Sequence, residues 1–569
     1  MDLEDQLAKV KQLVGQGRYL DARALSQEAL KTNNSLELQR LYAMAVSKSG
    51  MPAVAKDFLE KTYREHPEDP ETAGILGGIY KELFKKSEES AFAVQSRDTY
   101  LKNFSVTGNY YTGINAATMS AIAGQARKGR EIAKEVIEKI GAPNEFWQVA
   151  TLGEAYLLSK DYPKSIDFYL KARQQAGTDW GKISSVYNQL WLIKHYMHVP
   201  SDILKIFNPP TVAGFVGHMI DHPSRPTPRF PAAIEPMVKA SIKSTIKSQK
   251  VAIGYCSLAC GGDILFAEAM EEEGGEVNIS LPFNKKDFVE VSVAFAGESW
   301  VNRFESLISK HQVTYVTQEP FDHNADLFSM QSKVVLGSTI LRSSMMRSEP
   351  HLITVLSDFD LSKMEGGTRD SIGLWPNTDK IFNISPNSFI TDSATVPSTV
   401  PPPPRAKPSK VRPALYTLVA DLESESEEEI SEFFETVNGK MEEVVVPPLA
   451  STTTESKMVF GFAGMRPLED FIHFLKRIKG VKLNKLRLSI GGGPILLEDF
   501  HEKDPVQYKK MSGFHFEKAL ESHRYGMPGL CIALSPLAYE LAMYKVNMEL
   551  MSRISNEEGE MIDVFKVLD

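Results

Sequence analysis

The residues best suited to ligand chemistry stand at 257–263, in a turn that contains the pair Gly261 and Gly262. A buried strand pattern precedes this turn and a helical pattern follows it, so a helix N-terminus begins at the glycines. Glycine lets a backbone approach a ligand closely, and a helix N-terminus offers N–H groups with partial positive charge, which together can hold a phosphate. The alternative is a plain turn in which Asp263 caps the helix. Both interpretations stay open, because the turn has neither G-x-G-x-x-G nor G-x-x-x-x-G-K-[ST] spacing.

Two further groups of small and polar residues also follow predicted strands. Ligands of doubly wound sheets bind at the carboxyl ends of strands, so we predict one shared site for a nucleotide-derived ligand. The predicted ligand-binding residues are Gly217, His218, Asp221, Arg229, Ser257, Gly261, Gly262, Asp263, Gly366, Gly367, Thr368 and Asp370. Within this set, His218 and Asp221 could orient a ribose or act as acid and base, or His218 could simply bond within a turn.

Strand and helix patterns alternate from residue 209 onward, which predicts a doubly wound α/β sheet. The strand at 251–255, the helix at 264–273 and the strand at 276–281 form its central βαβ unit. Further strands are predicted at 212–216, 313–316, 334–335 and 352–356. On the helix before residue 251, Lys239, Lys243, Lys247 and Lys250 form a stripe, for which a solvated face is favoured over a phosphate-binding one.

The composition excludes several classes of protein. The three cysteines, Cys256, Cys260 and Cys531, are too few for a disulfide framework. No histidine or further cysteine lies near Cys256 and Cys260 in the sequence to complete a zinc site, so we predict no metal. A net charge of −9 argues against general nucleic-acid binding. The chain has no apolar run as long as a membrane span and no signal-peptide core at its start, so we expect a soluble cytoplasmic protein without membrane association.

The first two hundred residues repeat. Small residues from Gly17 to Ala29 return from Gly50 onward at a spacing of about 33 residues, which is typical of helix-turn-helix repeats. Leu76-Gly77-x-x-Tyr80 and Leu152-Gly153-x-x-Tyr156 mark further units. This region resembles tetratricopeptide (TPR) repeats, and the resemblance implies protein partners bound on a concave, TPR-like surface.

Two motif groups carry a second resemblance. The run Y-Y-T-G-I-N-x-A-T at 110–118 resembles the region of stress-activated MAP kinase kinase kinases called TRAFs-binding. Four motifs further along the chain resemble the Rossmann-like domain that follows the repeats in bacterial signalling proteins. They are G-H-M-I-D-x-P-x-R-P-x-P-R-F-P at 217–231, S-x-A-x-G-G-D-I-L-F-A-E at 257–268, L-P-F at 281–283 and G-G-T-x-D at 366–370. The glycine turn is also similar to that of the SLOG superfamily. The resemblance implies a sensor of nucleotide derivatives or a hydrolase of them, although the P-x-x-R-T-x-x-E hydrolase motif is not evident.

Beyond a Pro-rich stretch, the order of strand and helix patterns resembles a class III nucleotide cyclase homology domain. That family holds two metal ions on two aspartates, and Asp421 stands where the first is expected. The turn where the second aspartate is expected reads Thr453-Thr454-Glu455-Ser456. Glu517 and Glu521 stand where the family has an asparagine and an arginine that stabilise the charge of the transition state. The resemblance therefore implies an inactive, cyclase-like fold that pairs or dimerises through its sheet.

We therefore predict four segments. They are TPR-like helical repeats at 1–205, a Rossmann-like doubly wound α/β domain at 206–385, a flexible Pro-rich linker at 386–412, and an α+β cyclase-like (ferredoxin-like) domain at 413–569. The favoured function is a non-catalytic signalling regulator that senses a nucleotide derivative. The alternatives are a hydrolase using His218, Asp221 or Asp263, a residual cyclase, and a pure scaffold.

Overall fold

A computed structural model describes residues 3–15, 18–67, 69–223, 225, 227–321, 323, 326–357, 372–390, 414–424, 426–454, 456–479, 481–499, 509–512, 514–555 and 561–568. The chain divides into two compact units. Unit 1 comprises Met1–Pro209 and Met551–Met561, and unit 2 comprises Pro210–Leu550 and Ile562–Asp569. Unit 1 is built on helices, and unit 2 on two large β-sheets.

Unit 1 is a helical array in which each helix packs mainly against its neighbours in sequence, as in repeat proteins. Its helices are α1 (Leu3–Gly15), α2 (Tyr19–Leu30), α3 (Leu36–Lys48), α4 (Pro52–Glu65), α5 (Pro70–Ser87), α6 (Ser90–Thr107), α7 (Tyr110–Ile122), α8 (Ala126–Ile140), α9 (Phe146–Leu158), α10 (Tyr162–Ala176), α11 (Trp180–Tyr196) and α12 (Ser201–Ile206). The predicted helical solenoid in the N-terminal part of the chain is confirmed.

One helix contact occurs twice and explains the repeated glycines. A Cβ on Gly153 would lie 2.6 Å from the ring of Tyr169, and a Cβ on Gly77 would lie 3.0 Å from the ring of Tyr100. In both places a serine four residues before the tyrosine donates a 2.8 Å hydrogen bond to the glycine carbonyl, Ser165 to Gly153 and Ser96 to Gly77. The repeat therefore needs glycine so that an aromatic ring can lie against the preceding helix.

The first sheet of unit 2 has six parallel strands in the order β4-β3-β2-β1-β5-β6. Its strands are β1 (Thr211–Gly217), β2 (Val251–Cys256), β3 (Glu276–Leu281), β4 (Gln312–Tyr315), β5 (Pro350–Val355) and β6 (Ile381–Ile384). Its helices are α13 (Glu235–Ser248), α14 (Gly262–Glu272), α15 (Lys285–Ser292), α16 (Glu298–Lys310) and α17 (Asp326–Met345).

Helices cover both faces of this sheet. Phe215 of β1 stacks on Phe266 of α14, with ring centroids 4.8 Å apart. A Cβ on the adjacent Gly214 would instead contact Leu336 and Thr339 of α17. Since successive strand residues point to opposite faces, α14 and α17 lie on opposite sides.

One strand prediction was wrong. The apolar run at Val334 and Val335 lies inside α17 and not in a strand. Both side chains are buried, as are most residues along the middle of that helix. A short apolar run buried on all sides looks the same in a helix as in a strand, so the pattern could not decide.

The second sheet is mixed and has seven strands in the order β14-β15-β13-β10-β7-β9-β8. Its strands are β7 (Ala414–Leu422), β8 (Ala450–Thr453), β9 (Met458–Phe462), β10 (Leu486–Pro494), β13 (Cys531–Leu534), β14 (Met548–Ser555) and β15 (Met561–Val567), and β11 (Leu496–Asp499) pairs with β12 (Lys509–Ser512) in a separate hairpin. The intervening helices are α18 (Glu427–Gly439), α19 (Met465–Arg477), α20 (Phe514–Ser522) and α21 (Leu537–Ala542). The predicted α/β character of the chain after the repeats is confirmed in this coarser sense.

The two sheets of unit 2 are joined through α17 and α21. At Gly337 a Cβ would overlap the carbonyl oxygen of Tyr539, so only glycine permits this approach. Beside it, Lys333 Nζ lies 3.4 Å from Glu540 Oε1, and the Tyr416 hydroxyl donates a 2.9 Å hydrogen bond to the same oxygen. Unit 2 is thus one packed body built on both sheets.

Candidate functional site

The loops after β1, β2 and β5 meet at one edge of the parallel sheet. β1 lies between β2 and β5, so the strand order reverses at β1, which is where open α/β sheets bind ligands. We call this region the strand-end site and define it by residues 217–223, 225, 227–230, 257–263, 356 and 357. Most of the predicted ligand-binding residues fall within it.

Backbone hydrogen bonds hold the three loops together. His218 N–H donates to the Val355 carbonyl at 2.9 Å, which ties the loop after β1 to the end of β5. Gly262 N–H donates to the His218 carbonyl at 3.0 Å, and Ile220 N–H donates to the Cys260 carbonyl at 3.0 Å. The structure therefore brings the residues predicted after β1 directly against those predicted after β2.

The glycine pair serves this contact between loops. Gly261 has a φ of +110°, and a Cβ there would lie 2.5 Å from Ile220 N. A Cβ on Gly262 would lie 2.9 Å from the Phe215 ring, and its N–H is already bonded to His218. Asp263 is not the helix cap, since Gly261 occupies that position. The close approach predicted for a ligand at the glycines is thus made by the loop after β1.

Asp221 organises the loop that it belongs to. Its Oδ2 accepts hydrogen bonds from the N–H groups of Arg229, at 2.7 Å, and Phe230, at 2.8 Å. Arg225 Nε lies 3.0 Å from Oδ1 of the same carboxylate. A carboxylate with these partners folds the loop back on itself and fixes the position of Arg229.

Arg229 carries a buried donor that the described residues leave unused. Its Nε is buried, and no acceptor reaches that atom within the part of the chain that the structure describes. Burial and the nearby charge of Arg225 lower the pKa of Arg229, although Asp221 opposes this. A guanidinium with unused donors is suited to a phosphate or a carboxylate of a ligand.

His218 is held neutral. Its Nε2 accepts a 3.2 Å hydrogen bond from the N–H of Ser357, which requires an unprotonated nitrogen. Burial, together with the charges of Arg229 and Arg225, lowers the pKa of His218 to about 4. The ring is therefore a fixed, uncharged part of the site at neutral pH.

Asp263 is the buried carboxyl of the site. It is 8% exposed, and its Oδ2 accepts a 3.2 Å hydrogen bond from Ala259 N–H, which braces the turn. Burial raises the pKa of Asp263 to about 7, with the Ala259 hydrogen bond opposing the shift. Ser257, at the start of the same turn, is also 8% exposed.

Four of the predicted ligand-binding residues cannot be placed. Gly366, Gly367, Thr368 and Asp370 lie outside the described residues. Conversely, Arg225 and Ser357 belong to the site but are not among the predicted ligand-binding residues. Ser357 bonds both to His218 and, through its hydroxyl at 3.1 Å, to the Arg229 carbonyl. Its place directly after β5 is the signal that would have identified it.

The lysine stripe on α13 faces glutamates of α14. Lys239 Nζ lies 2.9 Å from carboxylate oxygens of both Glu268 and Glu272, and Lys243 Nζ lies 2.8 Å from Glu272 Oε2. Lys247 Nζ lies 3.3 Å from Oε1 of Glu273, the residue that follows α14. These cations are paired between helices, which agrees with the surface role that the sequence favoured.

Asp421 of the second sheet is enclosed by the side chains of Arg487 and His523. It is 2% exposed and receives hydrogen bonds from Arg487 Nε at 2.8 Å and Arg487 Nη2 at 2.6 Å. His523 Nε2 lies 3.0 Å from Oδ1, and Ser489 Oγ lies 2.7 Å from Nδ1 of that ring. Burial alone would raise the pKa of Asp421, but the hydrogen bonds from His523 and Arg487 lower it. These partners occupy the carboxylate oxygens that a metal ion would need.

No group of three or more His, Cys, Asp or Glu side chains in the described residues is arranged to hold a metal ion. Among the helices of the described ranges, none combines the length and the apolar character needed to cross a bilayer.

Comparison with known proteins places the repeats in a recognised class. Residues 18–120 match the family described as Tetratricopeptide Repeats-Sensor. A thermophilic TPR protein of Thermus thermophilus is similar at 20% identity, over 33% of this chain and 98% of its own, with a TM-score of 0.29. MamA is similar at 16% identity, over 30% of this chain and 91% of its own, with a TM-score of 0.24. The human IFIT1 dimer with PPP-AAAA is similar at 14% identity, over 35% of this chain and 52% of its own, with a TM-score of 0.27. No curated protein matches the chain. The N-terminal part is thus a TPR-like region, as predicted.

Proposed function

We propose that this chain is a non-catalytic signalling regulator whose strand-end site binds a nucleotide-derived ligand. The observation that carries the proposal is the position of Arg229. Its guanidinium, with no acceptor at Nε among the described residues, lies at the edge of a parallel sheet where the strand order reverses. An arginine with an unused donor at such an edge suits the phosphate groups of a nucleotide. The strand order also supports a Rossmann-like, SLOG-like domain.

The acid and base candidates support binding over hydrolysis. A general base needs a free lone pair within reach of the proton that it removes. His218 Nε2 is occupied by Ser357 N–H, and Asp221 Oδ2 accepts two backbone N–H groups. The other oxygen of Asp221, Oδ1, faces the cation Arg225 at 3.0 Å. Both side chains therefore hold the loops in place. Asp263, with its pKa raised to about 7, is the residue on which the hydrolase alternative depends.

The second sheet supports a cyclase-like domain without cyclase chemistry. From β7 to β10 the elements run β7-α18-β8-β9-α19-β10, and the four strands lie in the order β10-β7-β9-β8 with antiparallel neighbours. This order supports a ferredoxin-like arrangement that is extended by further strands. Catalysis would need Asp421 free for a metal ion, whereas Arg487 and His523 enclose it. We assign this domain to pairing with protein partners or a second copy.

The repeats supply the third part of the proposal. TPR-like arrays typically bind proteins on a concave face, and the matched family is described as a sensor. A regulator that detects a nucleotide derivative in unit 2 and binds a protein through the array accounts for both units of the chain.

A ligand panel with matched variants tests the site. Thermal unfolding is measured with ATP, NAD and ADP-ribose for the full chain, for Arg229→Met, and for Lys247→Met as a control on the surface of α13. We expect at least one compound to raise Tm in the wild type and the control, but not in Arg229→Met. If none of the three compounds binds, the alternative of a pure scaffold would be favoured.

Turnover assays on the same panel separate a sensor from an enzyme. We expect no product from the wild type. Product that disappears in Asp263→Ala would establish the hydrolase alternative instead.

The second sheet has its own test. With ATP or GTP and either magnesium or manganese, we expect no cyclic AMP or cyclic GMP. Metal-dependent synthesis that Asp421→Ala abolishes would overturn the assignment.

A further inference from the structure

The helical array contains a cavity of about 840 Å³. Helices α3, α5, α6, α7 and α11 line it, so helices distant in sequence close around one space. Clefts of this volume hold small molecules of nucleotide size. The lining includes Gly74 and Gly78 of α5, one turn apart, which keep that wall free of side chains.

Lys81, one turn further along α5, is the cation at the wall of this cavity. Its Nζ donates to Asn115 Oδ1 at 2.8 Å and to Gln189 Oε1 at 3.0 Å. Both acceptors are neutral amides. Since an ammonium group carries three N–H donors, one donor and the full charge remain for another partner.

A buried carboxylate fixes the orientation of these amides. Glu154, which is 8% exposed, accepts hydrogen bonds from Gln189 Nε2 at 2.8 Å and from Thr118 Oγ1 at 2.5 Å. Because Glu154 takes the NH2 group of Gln189, the amide oxygen turns toward Lys81. The network thus stabilises a charged lysine without placing a carboxylate in contact with it.

The other charges of the lining, Lys48, Lys85, Glu71 and Glu82, balance one another, so the wall keeps the charge of Lys81. Lys48 of α3 and Lys85 of α5 line the wall, and Lys85 lies 2.9 Å from the carboxylate of Glu82. Glu71, also in the wall, is paired with Arg40 at 2.9 Å. Burial lowers the pKa of Lys81 to about 8; Glu154 and Glu82 oppose this shift, and Lys85 and Lys48 add to it.

We propose that this cavity binds a small molecule carrying a phosphate or a carboxylate group, and that Lys81 contacts the anion. The unused donor of Lys81, its charge, which the rest of the lining does not neutralise, and the volume of the cavity support this site. It is separate from the strand-end site, lies in the other unit, and does not depend on the function proposed there.

Calorimetry on the full chain tests the site, with inorganic pyrophosphate and citrate as the two probes. Loss of a charged hydrogen bond typically weakens binding by roughly ten-fold to a hundred-fold, so we expect this loss in Lys81→Met. Lys86→Met, a lysine of α5 outside the cavity wall, should bind like the wild type. Arg229→Met should keep the Lys81-dependent binding, which distinguishes the two sites. The stronger probe identifies the anion class.

The pH dependence gives a readout that a purely structural lysine would not show. An anion beside Lys81 favours the charged form, so binding should take up protons near pH 8, and affinity should fall as pH rises through about 8. Proton uptake is measured in two buffers of different ionisation enthalpy.

Substitution of Gly74 tests the cavity without touching Lys81. A Cβ there meets only Thr112 Cγ2, at 3.8 Å, so Gly74→Ala should fold and bind normally. Gly74→Phe fills the space and should abolish binding. Equal affinity in wild type, Lys81→Met and Gly74→Phe, or no binding of either probe by the wild type, would overturn the proposal.

Discussion

Two buried aspartates in unit 2 have opposite surroundings. Asp421, in the mixed sheet, receives two hydrogen bonds from Arg487 and lies 3.0 Å from His523, and its pKa is lowered. Asp263, beside the parallel sheet, accepts one backbone hydrogen bond, and its pKa is raised to about 7. Burial is similar for both, so the difference comes from the partners.

The comparison supports the proposal that a ligand binds beside the parallel sheet and not at Asp421. At Asp421 the protein satisfies the charge itself, so the carboxylate contributes to stability and holds the strands in register. At the strand-end site the carboxyl of Asp263 accepts one backbone hydrogen bond and has a raised pKa, and the guanidinium of Arg229 has an unused buried donor. Unsatisfied buried groups cost stability and are retained where a ligand completes them.

The largest effect is expected where the ion pair around Asp421 is broken. Arg487→Met leaves a carboxylate that is 2% exposed without its main partner. The free energy of unfolding should fall by about 3 kcal/mol, near the lower end for a buried pair because the Arg487 side chain is 27% exposed. Urea unfolding monitored by circular dichroism measures this. A loss below about 1 kcal/mol would show that the pair is not structural.

A smaller effect of opposite sign is expected at Asp263. Its folded pKa of about 7 lies above the unfolded value, so its contribution to stability is complete below about pH 4 and is lost as pH rises through about 7. Asp263→Asn removes this dependence. At pH 8 the variant should be more stable by about 2 kcal/mol, whereas at pH 4 the two proteins should unfold alike. A less stable variant at pH 8 would contradict the assigned environment.

The smallest effect is expected for ion pairs at the α13 and α14 surface. Lys239 has two glutamate partners at 2.9 Å, but its side chain is 29% exposed. Lys239→Gln should therefore cost less than about 1 kcal/mol, and high salt should reduce the difference further. Unfolding in low and high sodium chloride measures it. A cost equal to that of Arg487→Met would remove the contrast between exposed and buried pairs.

Local patterns in the sequence were sufficient to predict the helical repeats and the parallel sheet. Gly77 and Gly153 stand at fixed spacing from the residues that they contact, so the repeat was visible without a structure. The alternation of strands and helices likewise predicted a parallel sheet, although Val334 and Val335 were misassigned.

Contacts between distant segments were not visible. Arg487 lies opposite Asp421 only because β7 and β10 pair in that register. Lys81, Asn115, Glu154 and Gln189 come from four helices that the array brings together. Hydrophobic periodicity and motif spacing describe one element at a time, and these sites depend on how elements pair.

The most direct test of the central claim compares the two regions in one sample. Histidine labelled with carbon-13 is incorporated into the full chain, and NMR spectra are recorded with and without ATP, NAD or ADP-ribose. The signals of His218 and His523 are assigned from His218→Gln and His523→Gln. The ligand should shift the His218 signal and leave that of His523 in place. A shift confined to His523, or no change at His218 on addition of a compound whose binding Arg229→Met abolishes, would contradict the account.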